Sequence, residues 1–355
     1  MSASFFMAAN SGKGFFSLFD EIHSPREGWK LYVIKGGPGT GKSSLMKKIA
    51  EISEEKGYFC ERIFCSSDPD SLDGVVIPAL KVSIADGTSP HIIEPKYPGV
   101  SEKIINLGEC WDEKILKKNS EHIFTLVDCN KALHKQSSRY LSAASASLND
   151  NANILTASFI ADKADNFAVR SVNRYVECCN AYGKETRRFI NAVTPKGVIT
   201  LYDTALSLCD TVISVSDDYS YVSHLVINKI KNYALANGVD IISCLNPINP
   251  TGYPCHVILK NERVGFFTSD QYSAFKSFAS RNINARRFID DSVFKAHKRR
   301  VVFNAKIADN LINESVNILS KAKSVHDEIE KYYVSAMNFN ELNEMLNKIS
   351  DEIFN

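Results

Sequence analysis

The segment from Gly36 to Ser43 reads Gly-Gly-Pro-Gly-Thr-Gly-Lys-Ser, and it restricts the fold of this chain more than any other segment. An apolar run, residues 31–34, precedes it, and a helical pattern, residues 44–52, follows it. Glycines allow successive backbone N–H groups to close around an anion, and a helix that begins there turns its positive dipole end toward the same point. The sequence therefore predicts a strand, a phosphate-binding loop and a helix, in that order.

The loop also predicts which residues contact the ligand. The expected nucleotide-binding residues are Gly36, Gly37, Pro38, Gly39, Thr40, Gly41, Lys42, Ser43 and Ser44. Lys42 would contact the β- and γ-phosphates of a nucleoside triphosphate, and the Ser43 hydroxyl would bind Mg²⁺.

The chain contains two related halves. Phe6 and Asp20 recur 183 positions later as Phe189 and Asp203, and several residues between them recur at the same offset. The correspondence then continues at an offset of 181. Two nearly constant offsets over about eighty residues indicate an internal duplication.

Each half ends in a segment without Gly or Pro, the residues that most often interrupt helices and mark turns. In the second of these segments, apolar residues at helical spacing predict an amphipathic helix, and we expect helical hairpins or bundles in both. The predicted fold is α/β, with duplicated P-loop NTPase units that each carry a helical segment. The predicted boundaries are 1–183 for the first repeat (P-loop unit about 1–108, helical segment 109–182) and 184–355 for the second (unit about 184–265, helical segment 266–355).

The second half has lost the glycine-rich loop. The window that matches Gly36–Ser43 at the 181 offset, residues 217–224, contains neither glycine nor lysine. We expect that it cannot form the same nest of N–H groups and that Asp217 and Asp218 repel a phosphate. The second half is therefore predicted to be a pseudo-domain, and the chain to bind one nucleotide.

Two acids could hold Mg²⁺ at the predicted site. Residues 80–86 alternate as a strand does and end at Asp86, the strand end at which open α/β sheets bind ligands, although an Asp-Gly pair there is also a common turn. Residues 123–128 form a second apolar run, but Asp128 falls in a predicted helical segment. We therefore prefer Asp86 as the metal ligand. The 181 offset matches Asp86 with Phe267.

A further acidic cluster, Asp68, Asp70 and Asp73, follows the apolar run 63–65. Asp68 is a candidate catalytic base, ligand of a Mg²⁺-bound water or contact to an acceptor, and the same cluster is equally typical of a capped turn. His91 could orient a phosphate, although a lone histidine at such a turn is more often structural.

Composition restricts the partners. The formal net charge of +1 gives no reason to expect nucleic acid or an anionic membrane. No apolar run approaches the ~18 residues that a membrane span needs. The nine cysteines lack zinc spacing and are expected to be reduced thiols, so we expect a cytoplasmic protein. Arg187 and Arg188, expected to be exposed, are candidates for a catalytic arginine acting between the repeats.

Several segments together carry a resemblance to a known family. They are Asn-Ser-Gly-Lys-Gly-Phe-Phe at residues 10–16, the glycine-rich loop with Lys35, and residues 67–74, 86–91 and 97–99. The chain resembles a little-studied bacterial family of tandem P-loop proteins, usually labelled ATPase or nucleotide-kinase-like. The resemblance implies ATP binding and a duplicated P-loop fold but no established substrate. Because the second repeat of that family often has its own P-loop, the second half departs from the pattern.

Three functions fit these observations. The first, which we favour, is a Mg²⁺-dependent ATPase that uses Lys42, Asp86 and Asp68, and in which hydrolysis changes the packing of the first repeat against the helical segments. The second is a phosphotransferase that acts on a nucleotide or another small acceptor, with a helical segment closing as a lid. The third is a protein that keeps its ATP bound and is gated by it. The protein or small-molecule partner is not identified by the sequence.

Overall fold

The computed structural model describes residues 2–177, 179 and 181–354. Its strands lie in two six-stranded mixed sheets and two two-stranded hairpins. The strands of the first half are β1 (Ser2–Phe6), β2 (Ala8–Ser11), β3 (Gly14–Ser17), β4 (Lys30–Lys35), β5 (Cys60–Phe64), β6 (Leu72–Ile77), β7 (Val82–Asp86) and β8 (Glu102–Asn106). The strands of the second half are β9 (Glu185–Arg188), β10 (Asn191–Thr194), β11 (Gly197–Thr200), β12 (Thr211–Ser216), β13 (Ile241–Cys244), β14 (His256–Leu259), β15 (Val264–Ser269) and β16 (Arg281–Asn284).

The helices include a long antiparallel pair, α3 and α7. The helices are α1 (Lys42–Glu55), α2 (Glu113–Lys118), α3 (Ser120–Ala157), α4 (Ala161–Val172), α5 (Tyr202–Leu208), α6 (Val222–Ala236), α7 (Asp291–Ala336) and α8 (Phe339–Phe354). Among the described residues, none of these helices combines the length and the apolar character that a membrane crossing requires. The cysteines that the structure describes are all free thiols.

The two six-stranded mixed sheets and their helices confirm the predicted α/β class, and the common strand order of the two sheets is compatible with a duplicated fold. The first is β1-β5-β6-β7-β4-β8, and the second, read in the same direction, is β9-β13-β14-β15-β12-β16. In each sheet the fourth and fifth strands in this order are parallel: β7 pairs with β4 in the first sheet, and β15 pairs with β12 in the second. This order places the carboxyl end of β7 next to the loop that follows β4.

Equivalent residues of the two halves contact each other. Phe6 and Phe189 exchange two backbone hydrogen bonds, of 2.8 and 2.9 Å. In the corresponding long helices of the two halves, the hydroxyl oxygens of Ser137 (α3) and Ser315 (α7), 178 positions apart in the chain, lie 2.7 Å from each other. Corresponding positions meet in this way next to a twofold axis, as in an isologous interface. The two halves are therefore related by an approximate twofold rotation, in agreement with the repeat seen in the sequence.

The last helix of each half packs against the sheet of the other half. Leu342 and Leu346 of α8 lie in the same core as Tyr32 and Leu45 of the first half. Conversely, the apolar face of α4 packs against α6 and the second sheet. Each packed unit therefore combines the sheet of one half with the last helix of the other half.

The helical segment of the second half begins later than residue 266. β15 and β16 occupy part of the segment without Gly or Pro, and α7 begins at Asp291. The Asp290 side chain caps this helix by accepting a hydrogen bond of 2.8 Å from the Ser292 N–H. The prediction was wrong here because a lack of Gly and Pro removes turn signals without opposing a strand, and the Phe-Phe-Thr run in β15 favours one.

Candidate functional site

The predicted nucleotide-binding residues, Gly36 to Ser44, lie in the loop between β4 and α1 or in the first turn of that helix. We call residues 36–43 the glycine-rich loop. Gly41, with φ of 85°, precedes α1 in a left-handed conformation that glycine adopts without strain. The Lys42 ammonium donates to the carbonyl oxygens of Gly36 and Gly37, at 2.9 and 2.8 Å. The lysine is thus folded back over the loop that precedes it.

Asp86 lies beside this lysine. The parallel pairing of β4 with β7 sets Asp86 opposite Ile34, at the carboxyl end of both strands. Asp86 Oδ2 is 3.6 Å from Lys42 Nζ, and both side chains are largely buried. Asp86 Oδ1 accepts hydrogen bonds from the Thr88 N–H and hydroxyl, at 2.8 and 2.6 Å, which fix the carboxylate. The site therefore pairs a shielded cation with an oriented carboxylate next to a helix N-terminus.

The alternative acid, Asp128, lies in a different environment from Asp86. It lies within α3, its side chain is 79% exposed, and its carboxylate is 3.7 Å from Lys131 on the next turn of the same helix. An exposed carboxylate in the middle of a helix has no strand end to position it. The structure therefore brings Asp86, and not Asp128, together with Lys42.

The acidic cluster packs on the first turns of α1. Ser43 Oγ accepts a hydrogen bond of 3.0 Å from the Leu72 N–H, which leaves its second lone pair available. Asp68 accepts a hydrogen bond from Ser71 Oγ at 2.8 Å, as in a capped turn, and lies 3.6 Å from Lys323 Nζ of α7. Sequence reasoning missed Lys323, because a lysine on a long polar helix gives no signal of such a partner.

A buried thiol, carboxylate and imidazole lie close together in the first half. Asp73 Oδ2 is 2.8 Å from His91 Nε2, and Cys65 completes a group whose ligand atoms all lie within 4.8 Å, a spacing that one cation could bridge. Burial lowers the pKa of His91, but the Asp73 carboxylate outweighs it and the pKa is raised. The rings of Phe15 and Phe19 each lie 4.8 Å from the imidazole. His91 is therefore a buried, packed residue. No sequence pattern indicated that it would lie next to Cys65.

Helices of the second half cover the glycine-rich loop. A Cβ atom at Gly37 would lie 2.4 Å from Tyr333 of α7, so only glycine fits beneath that ring. A Cβ at Gly41 would lie 2.6 Å from Leu342 of α8. Tyr333 is in turn held by an edge-to-face contact with Trp111, at 5.6 Å between ring centroids. The loop of one half therefore has its cover supplied by the other.

The second loop, residues 217–224, does form a nest of N–H groups. The backbone N–H groups of Tyr219, Tyr221 and Ser223 donate to the Asp217 carboxylate, at 3.0, 3.0 and 2.7 Å. The expectation that this window cannot form the same nest is corrected in part, because its N–H groups do converge, although on a carboxylate of the loop itself. Burial raises the pKa of Asp217, and these three hydrogen bonds oppose that shift.

The buried ion pair of the first half is replaced by two hydroxyls in the second. The pairing of β12 with β15 sets Thr268 opposite Val215, the position that corresponds to Ile34. Asp86 therefore corresponds to Thr268 and not to Phe267, because the correspondence slips by one residue before β15, which a constant offset does not detect. Thr268 Oγ1 lies 3.0 Å from Ser223 Oγ, the counterpart of the Lys42–Asp86 pair. Loss of both charges together leaves no unpaired buried charge.

Arg187 and Arg188 connect the two halves. Arg187 pairs with Glu21 of the first half. Arg188 is only 4% exposed and donates to Glu61 Oε2 from Nε and Nη2, at 3.0 and 2.9 Å. The expectation of an exposed pair was wrong for Arg188, since neighbouring residues of β9 point to opposite faces of the sheet. Both guanidinium groups are occupied by these interface carboxylates.

We expect Asp217→Ala to destabilise the protein by about 1–3 kcal/mol, because it leaves the buried N–H of Ser223 and the partly buried N–H groups of Tyr219 and Tyr221 without their acceptor. The matched control is Asp218→Ala, whose exposed carboxylate accepts no hydrogen bond in the described chain; its effect should stay within about 0.5 kcal/mol. Urea unfolding with a common slope would measure both. Equal stabilities for the two variants would show that the nest does not depend on Asp217.

Comparison with known proteins gave no relative: no family model, no curated protein and no solved structure matches the chain.

Proposed function

We propose that the first half binds Mg²⁺-ATP in the glycine-rich loop and that water cleaves the bond between its β- and γ-phosphates there, which gives ADP and inorganic phosphate. The observation that carries this proposal is the buried pair of Lys42 and Asp86, 3.6 Å apart, at the junction of β4, β7 and the N-terminus of α1. Such a junction offers backbone N–H groups and a helix dipole to a polyphosphate. The pair adds the two charges that a metal-assisted phosphate reaction needs.

Each residue has a defined part in this proposal. Lys42 would exchange its bonds to the Gly36 and Gly37 carbonyl oxygens for bonds to the β- and γ-phosphates. Ser43 and Asp86 would hold Mg²⁺, directly or through water, since a hydroxyl and a carboxylate are the hard oxygen ligands that this ion prefers. The bound ion would neutralise negative charge that develops on the phosphate oxygens.

Tyr333 and Leu342 of the second half lie over the glycine-rich loop, and through them the reaction would affect the second half. A nucleotide whose phosphates contact Gly37 and Gly41 would lie against Tyr333 and Leu342. The helices that bear these residues also form the α3–α7 pair and the core beneath α8. Loss of the γ-phosphate would therefore change the packing of helices that extend across the molecule, which supports an ATPase that acts on a partner.

Product analysis with γ-labelled ATP tests the reaction. We expect the purified chain to release labelled inorganic phosphate in the presence of Mg²⁺, and the rate to be independent of an added panel of nucleoside monophosphates. Transfer of the label to one of these acceptors would replace the ATPase with a phosphotransferase. Tight binding without any turnover would leave a nucleotide-gated interaction protein.

We expect one ATP analogue to bind per chain in calorimetry, because the Asp217 carboxylate already occupies the nest of the second loop and repels a phosphate. Tyr221→Ala, which alters the second loop and the adjoining cavity but not the glycine-rich loop, should leave this stoichiometry unchanged. A stoichiometry of two would show that a phosphate displaces the Asp217 side chain.

A further inference from the structure

A cavity of about 670 Å³ lies beside the second loop, where the second sheet meets α3 and α7. This volume falls within the ~300–1,000 Å³ that is typical of small-molecule sites. Its walls include Tyr221 of the second loop, Asn149 of α3, Ala305 of α7 and Tyr253 of the connection between β13 and β14. Residues from both halves of the chain therefore enclose this space.

His224 presents an unused imidazole to the cavity. It lies in the first turn of α6, is 4% exposed, and makes no hydrogen bond to any residue that the structure describes. Burial lowers its pKa to about 4, so the ring is neutral and offers one donor and one acceptor. Its neighbour His256 is fully used, with Nε2 2.6 Å from Asn191 Oδ1 and Nδ1 accepting from the Thr268 N–H. With no protein partner, the ring nitrogens are left to bond to whatever occupies the cavity that His224 lines.

The charge of the walls disfavours a phosphate in this cavity. Asp218 and Asp270 line it, together with one ammonium group, that of Lys231. The Lys231 ammonium lies 3.4 Å from Glu185 Oε1, so its charge is already offset. Asp217 fills the adjacent nest. A ligand that carries a phosphate would thus meet carboxylates without a free cation among the lining residues.

The remaining lining groups suit a planar heterocycle. The rings of Tyr221 and Tyr253 lie 6.5 Å apart, and that of His224 lies 6.3 Å from Tyr221. Tyrosine rings stack on nucleobases without regard to their sequence. Asn149 and Asn246 also line the cavity, and their NH₂ groups can donate to acceptors on a base edge. Their Oδ1 atoms already accept hydrogen bonds, from Asn249 Nδ2 at 3.3 Å and from the Ile248 N–H at 2.9 Å.

We propose that the chain binds an uncharged nucleoside in this cavity, between the second loop and the long helices α3 and α7. The heterocycle stacks on the tyrosines at the rim and bonds to the His224 imidazole and the asparagine amides. This site is separate from the proposed ATP site. It would bind an uncharged group, whereas the glycine-rich loop would bind a polyphosphate. The difference arises because the Asp217 carboxylate fills the N-terminus of the helix in the second half and Ser223 replaces the lysine.

The wall that carries Tyr253 is held by the first half. Lys13, at the turn between β2 and β3, donates to Thr251 Oγ1 at 2.7 Å. The equivalent contact joins Lys196, between β10 and β11, to Asp70 Oδ2 at 2.6 Å. A ligand in the cavity would therefore contact a loop whose position depends on the other half.

The test measures binding of adenosine, guanosine, inosine, cytidine and uridine to the full chain by calorimetry and by saturation-transfer NMR. We expect at least one of them to bind once per chain. His224→Leu and Tyr253→Ala should each weaken that nucleoside by about tenfold or more. The control Tyr182→Ala removes a tyrosine that is 77% exposed and does not line the cavity, and it should not change the affinity. Lys42→Ala, which alters only the glycine-rich loop, should not change it either.

The outcomes separate this proposal from the proposed ATPase. His224→Leu removes an imidazole without a partner, so its melting temperature should equal or exceed that of the native chain. Tyr253→Ala, at an exposed rim, provides the readout if that variant does not fold. The proposal is overturned if none of the nucleosides binds at about 1 mM, or if binding survives in both cavity variants. Loss of nucleoside binding in Lys42→Ala would also overturn it, since the nucleoside would then occupy the glycine-rich loop.

Discussion

Replacing Lys42 by alanine should reduce ATP turnover by about 10²-fold or more, because removal of one preorganised donor to a developing oxyanion typically has an effect of that size. The same change should weaken triphosphate binding, since a methyl group cannot compensate the γ-phosphate charge. Steady-state phosphate release and calorimetry with an ATP analogue would measure both effects.

The control for this substitution is Lys48→Ala, on an exposed position of the same helix. Its turnover should match that of the native chain. The Lys42→Ala protein should be less stable, because the largely buried Asp86 carboxylate loses its cation, but it should remain folded, because the two hydrogen bonds from Thr88 still compensate that carboxylate. Unchanged ATP turnover in Lys42→Ala would remove the glycine-rich loop from the reaction.

We expect Asp86→Asn to lower the hydrolysis rate by about 10²-fold or more while much of the nucleotide affinity remains. The amide has almost the same shape as the carboxylate, and its oxygen can still accept the hydrogen bonds from Thr88. It lacks the negative charge that would position Mg²⁺. The rate constant and the Mg²⁺ concentration needed for half-maximal activity are the quantities to measure.

Asp128→Asn provides the matched comparison, because it makes the same chemical change at an exposed position of α3. Its rate should equal that of the native chain. If Asp128→Asn were impaired and Asp86→Asn were not, the metal ligand would have to come from the helical segment, and the arrangement of Lys42 with Asp86 would be only structural.

The local part of the candidate site could be predicted from sequence. Gly36–Ser43 occur between an apolar run and a helical pattern, and those signals act over a few residues. The position of Asp86 followed from alternation along β7 and from the general rule that ligands bind at the carboxyl ends of parallel strands. The repeat was also visible, because many framework residues recur at a constant offset.

The remaining features depend on contacts between distant parts of the chain. Nothing near Tyr333 or Leu342 indicates that they cover a loop about 300 residues earlier. The exchange of α4 and α8 follows from the twofold arrangement of the halves, which no local pattern encodes. The prediction for Asp217 considered only the repulsion between its charge and a phosphate. It did not consider that the side chain could turn back and accept hydrogen bonds from the backbone of its own loop.

The cavity could not be predicted from the sequence either, because it too is formed by distant parts of the chain. Its walls come from α3, α7, the second loop and the connection after β13. His224 occupies the position that corresponds to Ser43, and the comparison of the two halves assigned it no role of its own. Its unpartnered imidazole became informative once its burial and its surroundings were known.

The contact between Phe6 and Phe189 pairs the two halves as the subunits of a dimer are paired, but within one chain, and this affects how their sequences can diverge. In a symmetric dimer of one kind of chain, every substitution appears in both subunits, so a site cannot be altered without altering its copy. Here the two partners are covalently joined and encoded separately. Lys42 can therefore be kept while its counterpart becomes Ser223, and the halves stay paired at any concentration, each free to diverge as long as it still supplies the contacts that the other requires.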